Sequence, residues 1–136
     1  MMEKTKLRKI LIVDDDEDIL TISKYSLGFN SEFQVTCVKS GEEALKVALD
    51  LQPDLILLDL MMPVMDGTAT MKAMRLMPTI AKTPIVFFTA RAGAKEVESY
   101  LKLGVVDVIT KPFDPLQLPD VVQNIWNKCQ SSTKDY

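Results

Sequence analysis

The sequence contains no histidine among its 136 residues. Histidine is the commonest general base and the commonest phosphoryl-carrying side chain, so any chemistry in this chain is expected to run on carboxylates. Cysteine is scarce as well: Cys37 and Cys129 lie far apart and show no CxxC or other metal-binding spacing. We interpret them as two reduced thiols in a cytosolic protein.

Long hydrophobic runs and an excess of positive charge are also absent. No apolar stretch is long enough to cross a bilayer and the polar N-terminus is no signal peptide, so we predict a soluble, cytoplasmic protein with no membrane insertion. The formal net charge is −3, which gives no indication of direct nucleic-acid binding. One small basic cluster is interpreted as a solvated lead-in to the first strand; it consists of Lys4, Lys6, Arg8 and Lys9.

What the sequence does contain is an alternation of short apolar runs and amphipathic segments. The runs predict five strands, at residues 9–13, 33–38, 55–59, 85–89 and 105–110. The amphipathic segments predict five helices, at 16–27, between Ser40 and Pro53, from Asp66 to about Met77, at 92–103, and from Pro119 to about Lys128. With 47% hydrophobic residues and neither linker nor repeat, the chain is predicted to form one doubly wound α/β domain with a parallel sheet.

Residues that commonly cap helices mark the start of several of these helices. Ser40 and Glu43 form a capping box, in which the two residues are expected to satisfy each other's free amides. Asp66 is the predicted N-cap of the third helix. Asp114 and Pro115 resemble a cap followed by a first-turn proline, and Pro119, one turn later, indicates that the regular helix begins only there.

Four of the predicted strands run into polar residues at their carboxyl ends. The first strand leads into Asp14 and Asp15, the third into Asp59, the fourth into Thr89 and the fifth into Lys111. In open parallel sheets, ligands bind outside the carboxyl ends of the strands. We therefore predict that three carboxylates, a hydroxyl and an ammonium group gather at one edge of the sheet.

This set of groups suits a divalent cation and a phosphoryl group. Crowded carboxylates repel each other, and Mg²⁺ would remove that repulsion, since every available ligand atom is oxygen. Asp59 is the best candidate for a nucleophile that forms an aspartyl phosphate. Lys111 and Thr89 could then hold phosphoryl oxygens, as a point charge and as a hydroxyl donor. Glu17 and Asp18, by contrast, are explained by a favourable position at a helix N-terminus.

Four segments together resemble a known family: residues 13–15 (VDD), 57–67 (LLDLMMPVMDG), 88–90 (FTA) and 110–113 (TKPF). They are similar, in order and spacing, to the receiver domain of bacterial two-component response regulators, and in particular to the stand-alone chemotaxis type. The resemblance implies a flavodoxin-like five-stranded sheet of order 2-1-3-4-5. It also implies a receiver domain at residues 8–128, short terminal extensions at 1–7 and 129–136, and no output domain.

The resemblance assigns roles to the acidic residues. It implies that Asp59 is the phosphoacceptor. Asp15 would bind Mg²⁺ directly and Asp14 mainly through water, with Asp59 and the backbone carbonyl of Met61 as further ligands.

The resemblance also implies how the domain is phosphorylated and how it signals. Thr89 and Lys111 would contact the phosphoryl group, and the peptide bond between Lys111 and Pro112 would be cis. The donor would be a sensor histidine kinase or a histidine phosphotransfer protein, and the phosphorylated form would signal to a downstream protein target by conformational change. Such a protein is not a conventional enzyme, although it assists its own phosphorylation and dephosphorylation.

The chain departs from the family pattern at Val108, where many receivers carry Tyr or Phe three residues before the lysine. An aromatic rotamer switch at that position is impossible here. We therefore expect the signal to travel through the loop after the fourth strand and the helix at 92–103. Met61 and Arg91 flank the expected phosphoryl site and could shield it, which leads to the hypothesis of an acyl phosphate lifetime longer than seconds.

Other functions fit the residues less well. A phosphohydrolase of the haloacid dehalogenase type would use Asp14 and Asp16, but the required following Thr and a cap insertion are missing. A calcium loop is disfavoured because Ile19 stands where Gly is required and Tyr25 where Glu is required. A flavin site would need amides and hydroxyls where this chain has acids. A receiver-shaped adaptor that is never phosphorylated stays open as the alternative of a different class.

Overall fold

The computed structural model of the chain describes residues 6–132 and confirms the predicted alternation of strands and helices. The strands are β1 (Lys9–Val13), β2 (Gln34–Val38), β3 (Leu55–Asp59), β4 (Ile85–Thr89) and β5 (Asp107–Thr110). The helices are α1 (Glu17–Leu27), α2 (Gly41–Leu51), α3 (Gly67–Arg75), α4 (Ala94–Leu103) and α5 (Leu118–Ser132). Part of the basic cluster and parts of the two predicted terminal extensions lie outside the described residues.

The five strands form one parallel sheet in the order β2-β1-β3-β4-β5. The predicted fold class and strand order are therefore confirmed. All five residues of β3 and of β4 are buried, whereas β2 and β5 at the two edges are partly exposed. Short runs that are apolar at every position are typical of strands with helices on both faces, which explains why they could be read from the sequence.

Each face of the sheet carries its own apolar core. The first core lies under α1 and α5, and its helical members include Leu20, Leu27, Leu118, Val122 and Trp126. The second core lies under α2 and α3, and its helical members are Ala44, Ala48, Met71 and Met74. Helix α4 contacts this second core through the partly buried Tyr100. Each of the other four helices described within residues 6–132 has buried residues, but α4 has none.

The helix starts follow the predicted caps, with two corrections. Asp66 caps α3 as expected, since its Oδ1 accepts the Ala69 amide at 2.8 Å. In the capping box, Ser40 Oγ accepts the Glu43 amide at 3.1 Å, but the Glu43 carboxylate accepts the amide of Lys39 rather than that of Ser40. Helix α4 begins at Ala94 instead of residue 92, because Gly93 takes the extended cap conformation.

The remaining boundaries shift by a few residues. Helix α3 ends at Arg75 instead of Met77, because the next amides bond to carbonyls three residues back, as in a 3₁₀-helix, instead of four. Strand β5 begins at Asp107 rather than residue 105. Helix α5 begins at Leu118, one residue before Pro119, and continues to Ser132, beyond the predicted end near residue 128. A proline in the first turn is tolerated, and residues 128–132 contain no helix breaker.

Both ends of the described chain lie at the amino edge of the sheet. The Asp54 carboxylate accepts the amides of Arg8 and Lys9 at 3.0 and 2.9 Å, which fixes the start of β1. Lys6 and Gln130 line the same surface groove, so the lead-in to β1 and the last turns of α5 are neighbours. The polar residues that follow the strands lie at the opposite, carboxyl edge.

Candidate functional site

The sheet register brings the predicted acidic residues to one place. Val13 lies opposite Leu58 in the β1–β3 ladder, so the next residues, Asp14 and Asp59, end neighbouring strands side by side. The Asp14 amide donates to the Val38 carbonyl at 3.1 Å, which extends the ladder with β2 by one step. Both carboxylates are therefore fixed by backbone hydrogen bonding of central strands.

Asp14, Asp15 and Asp59 form a compact oxygen cluster. Each can offer one carboxylate oxygen such that all three oxygens lie within 4.8 Å of one another. Asp14 is fully buried and Asp59 is 4% exposed, while Asp15 is exposed. The structure thus brings together the three carboxylates that the sequence placed at strand ends.

Lys111 enters this cluster as its cation. Its Nζ donates to Asp14 Oδ2 at 2.5 Å and to Asp59 Oδ1 at 3.1 Å. The ammonium also lies 5.3 Å from the centroid of the Phe88 ring. The Lys111–Pro112 peptide bond is cis, as the family resemblance implied. The sequence predicted Lys111 near a phosphoryl group, but it did not predict that this side chain would bridge two of the three carboxylates.

The crowding of like charges changes the acidity of Asp59. Burial and the neighbouring Asp14 carboxylate raise the pKa of Asp59 from 3.8 to about 6, although Lys111 and the Met61 amide act in the opposite direction. Burial by itself lowers the pKa of Lys111, but hydrogen bonds and charges from Asp14 and Asp59 outweigh it, so that this pKa is raised. Lys111 therefore stays protonated and offsets part of the repulsion without removing it.

Thr89 and Met61 lie next to the cluster, and Arg91 is bonded to Thr89 through its backbone amide. Thr89 ends β4 one residue beyond Phe88, which lies opposite Asp59 in the β3–β4 ladder. The Thr89 hydroxyl is buried and its oxygen accepts the Arg91 amide at 3.0 Å. The Met61 side chain is 62% exposed, and its amide lies 3.4 Å from Asp59 Oδ1. A role for the Met61 carbonyl in metal binding stays a prediction.

The contacts of two residues near the site, Gly67 and Tyr100, were not predicted from the sequence. Gly67 packs under Asp59: a Cβ added there would lie 2.8 Å from the Leu60 Cα and closer still to the Asp59 carbonyl oxygen. The sequence Asp66-Gly67 could have indicated this close backbone approach, but it was interpreted only as a helix start. Tyr100 of α4 donates from its hydroxyl to the Arg91 carbonyl at 3.0 Å, which no local pattern could indicate.

The chemistry of the donor set fits Mg²⁺. All three side chains offer oxygen, which hard divalent cations prefer. Burial and, after it, repulsion by Asp14 raise the pKa of Asp59, and a bound cation would relieve that repulsion. Asp14, Asp15 and Asp59 are the residues that would hold the ion. Within residues 6–132, no helix is both long and apolar enough to cross a membrane.

Comparisons with known proteins identify the family. Residues 10–123 match the response regulator receiver domain. The chain is 38% identical over 123 residues to the alkaline phosphatase synthesis transcriptional regulatory protein PhoP of Bacillus subtilis. This aligned region covers 90% of this chain and 50% of that protein. Its fold matches the chemotaxis response regulator CheY4 of Vibrio cholerae with a TM-score of 0.80 and 29% identity, covering 88% of this chain and 99% of that one.

A third match is the receiver domain of DrrB, whose structure is described as BeF3-activated. Its TM-score is 0.75 at 25% identity, with coverage of 90% of this chain and 99% of that one. The chain spans 25% to 55% of the length of the first curated relatives that it matches.

The chain belongs to the response regulator receiver domain family. Receiver domains of two-component systems are signalling domains, not conventional enzymes. They take part in phosphorylation-dependent signalling and bind Mg²⁺ at an acidic pocket, for which this chain has the aspartate cluster described above.

Proposed function

We propose that this chain is a phosphorylation-dependent switch that accepts a phosphoryl group on Asp59 in a Mg²⁺-dependent reaction. The observation that carries the proposal is the cluster of three carboxylates, two of which, Asp14 and Asp59, are bridged by Lys111. Asp59 lies between Asp14 and the end of β4. A single fixed cation beside a crowded acidic cluster leaves a nucleophilic carboxylate close to the charge needed to stabilise phosphoryl oxygens.

In the proposed reaction an ionised oxygen of Asp59 attacks the phosphorus of a phosphohistidine. The phosphorus–nitrogen bond breaks, the imidazole keeps the electron pair and takes up a proton, and the new phosphorus–oxygen bond gives an acyl phosphate. Because the pKa of Asp59 is about 6, most molecules carry the reactive carboxylate at pH 7.5. Mg²⁺, when bound, supplies additional positive charge next to the phosphoryl oxygens.

Lys111 and Thr89 would hold the product. Once the phosphoryl group adds about −2 charges to Asp59, the Lys111 ammonium can move from the carboxylates onto a phosphoryl oxygen. The Thr89 hydroxyl can donate to another oxygen by rotating about its Cα–Cβ bond. These movements would alter the loop that follows β4, and a downstream protein would recognise the altered surface.

The proposed donor is a sensor histidine kinase or a histidine phosphotransfer protein. These 136 residues contain no histidine, so the phosphohistidine has to come from outside them. Some curated relatives are transcriptional regulatory proteins by name, but they are longer than the matched region. A downstream protein target, rather than DNA bound directly by this chain, is the partner that we propose.

The test is intact mass after incubation with Mg²⁺ and acetyl phosphate, for wild type, Asp59→Asn and the control Asp50→Asn, whose carboxylate is exposed on α2. We expect one phosphoryl addition to wild type and to the control, labile to base and dependent on Mg²⁺, and none to Asp59→Asn. Addition that persists in Asp59→Asn would show that another residue is the acceptor.

The same experiment separates the two alternatives. No addition with acetyl phosphate or with a phosphorylated histidine protein would favour the receiver-shaped adaptor. Steady turnover of a small phosphate ester without a stable adduct would favour the phosphohydrolase. A time course after donor removal tests the predicted lifetime: loss of the label within a second at neutral pH would refute shielding by Met61 and Arg91.

A further inference from the structure

Helix α4 is attached to the rest of the domain by few buried groups. None of its residues, 94–103, is fully buried, and its N-cap Gly93 offers no side chain to the free amides of the first turn. Elements with little buried apolar surface have low local stability and are the ones that can shift when a neighbouring contact changes. The few contacts that do hold α4 therefore decide how it responds to the site.

Tyr100 makes the most specific of these contacts. Its ring packs edge-on against Phe87 of β4, with the centroids 5.4 Å apart and the planes at 81°. Its hydroxyl donates to the Arg91 carbonyl at 3.0 Å. Tyr100 thus joins the middle of α4 to the strand that carries Thr89 and to the loop just after it.

Thr89 holds the same loop residue from the other side. The Thr89 hydroxyl oxygen accepts the Arg91 amide at 3.0 Å, so both backbone polar groups of Arg91 are bonded to a side-chain hydroxyl. One of these hydroxyls belongs to the candidate phosphoryl site and the other belongs to α4. A rotation of Thr89 that removes its oxygen from the Arg91 amide frees the N–H of this residue, while Tyr100 still holds its carbonyl.

We propose that Tyr100 is the positioning residue that couples the phosphorylation state of Asp59 to helix α4, through Arg91 and Thr89. This inference rests on the proposed function of the site. Movement of the Thr89 hydroxyl towards a phosphoryl oxygen shifts the backbone of Arg91, and the Tyr100 hydrogen bond passes that shift to α4. Val108 packs on the same apolar core as Tyr100 but has no polar side-chain atom with which to take part.

The test compares Tyr100→Phe, which removes only the hydroxyl, with Ser99→Ala. Ser99 is the neighbouring residue on α4, and its hydroxyl bonds only within the helix, to the Lys95 carbonyl at 3.1 Å. Amide hydrogen exchange of residues 94–103 is measured by mass spectrometry with Mg²⁺ alone and with Mg²⁺ plus beryllium fluoride. Beryllium fluoride stands in for a phosphoryl group on a carboxylate.

We expect the exchange rates of α4 in the two states to differ in wild type and in Ser99→Ala. In Tyr100→Phe the ratio between the exchange rates with and without beryllium fluoride should be about threefold smaller than in wild type, because the loss of a single hydrogen bond has an effect of that order. A merely structural role for Tyr100 would multiply the rates in both states by the same factor and leave the ratio unchanged, which would overturn the proposal.

Phosphorylation of the same samples separates the two levels of inference. If wild type and Tyr100→Phe both gain one phosphoryl group but show the same exchange ratio, the coupling role is wrong and the proposed function stands. If wild type gains none, the proposed function is wrong and the coupling falls with it. Unchanged α4 exchange in phosphorylated wild type would also refute the coupling.

Discussion

Replacing Asp59 with Asn should stabilise the metal-free protein, and the gain should grow with pH. The pKa of Asp59 is raised from 3.8 to about 6 by burial and by Asp14, so the folded protein holds this proton more tightly than the unfolded chain. Stability from this group is therefore present at low pH and is lost as the pH rises through the folded pKa. Asn has no such proton to lose.

The two pKa values fix the expected size. Ionisation of Asp59 costs the fold about 2 kcal/mol at pH 5 and about 3 kcal/mol at pH 7.5, when the shift from 3.8 to about 6 is converted at about 1.4 kcal/mol per pKa unit. The stability difference between Asp59→Asn and wild type should thus increase by about 1 kcal/mol over this range. The chain has no histidine, so no imidazole titrates in the same window.

Urea unfolding in EDTA measures this difference. Trp126 is the single tryptophan and is buried in the core under α5, which makes its fluorescence a suitable signal. Asp50→Asn removes an exposed carboxylate from α2 and serves as the control. A stability difference between Asp59→Asn and wild type that is the same at pH 5 and pH 7.5 would refute the raised pKa of Asp59.

Three further predictions concern the same cluster. Mg²⁺ at ten times its dissociation constant should stabilise wild type by about 1.4 kcal/mol at pH 7.5 in urea unfolding; an equal gain in Asp59→Asn would speak against the aspartate cluster as the binding site. Lys111→Met should destabilise the metal-free protein by about 2–4 kcal/mol at pH 7.5, because Asp14 and Asp59 lose the cation between them. The loss should be smaller at pH 5. A loss of stability that does not change with pH would contradict this reasoning. Gly67→Ala should lower the free energy of unfolding by about 1–3 kcal/mol and slow phosphorylation by acetyl phosphate, because the new methyl group displaces the Asp59 backbone. The control Gly93→Ala, whose methyl group meets only the flexible Glu96 side chain, should have neither effect. Equal effects of the two substitutions would rule out the close approach of Gly67 to the Asp59 backbone.

The sheet could be predicted because its strands are short and apolar throughout. In β3 and β4 every residue is buried, so burial on both faces appears directly in the sequence. The strand order came only from the family resemblance, since local patterns do not specify which strands pair. Helix ends were less predictable: Ala92 and Gly93 read as helix, but the chain stays extended at Gly93 and α4 begins one residue later.

The acidic cluster was predictable for a related reason. Residues at the carboxyl ends of parallel strands share one edge, so Asp14 and Asp59 could be placed together without knowing any distance. The contacts that cross between elements could not be predicted in this way. The bridge from Lys111 to Asp14 spans 97 positions, and the bond from Tyr100 to Arg91 depends on the angle at which α4 packs.

The closeness of Lys6 and Gln130 makes the described domain suitable as an inserted or permuted module. These two residues line one groove at the amino edge of the sheet, so a short designed linker could join the chain at positions next to them without crossing the carboxylates. New ends could then be opened between β4 and α4, next to Arg91. A reporter protein placed there would be attached to the loop that we expect to move. Surface immobilisation next to Lys6 or Gln130 would leave the carboxyl edge of the sheet, where Asp59 lies, on the side away from the surface.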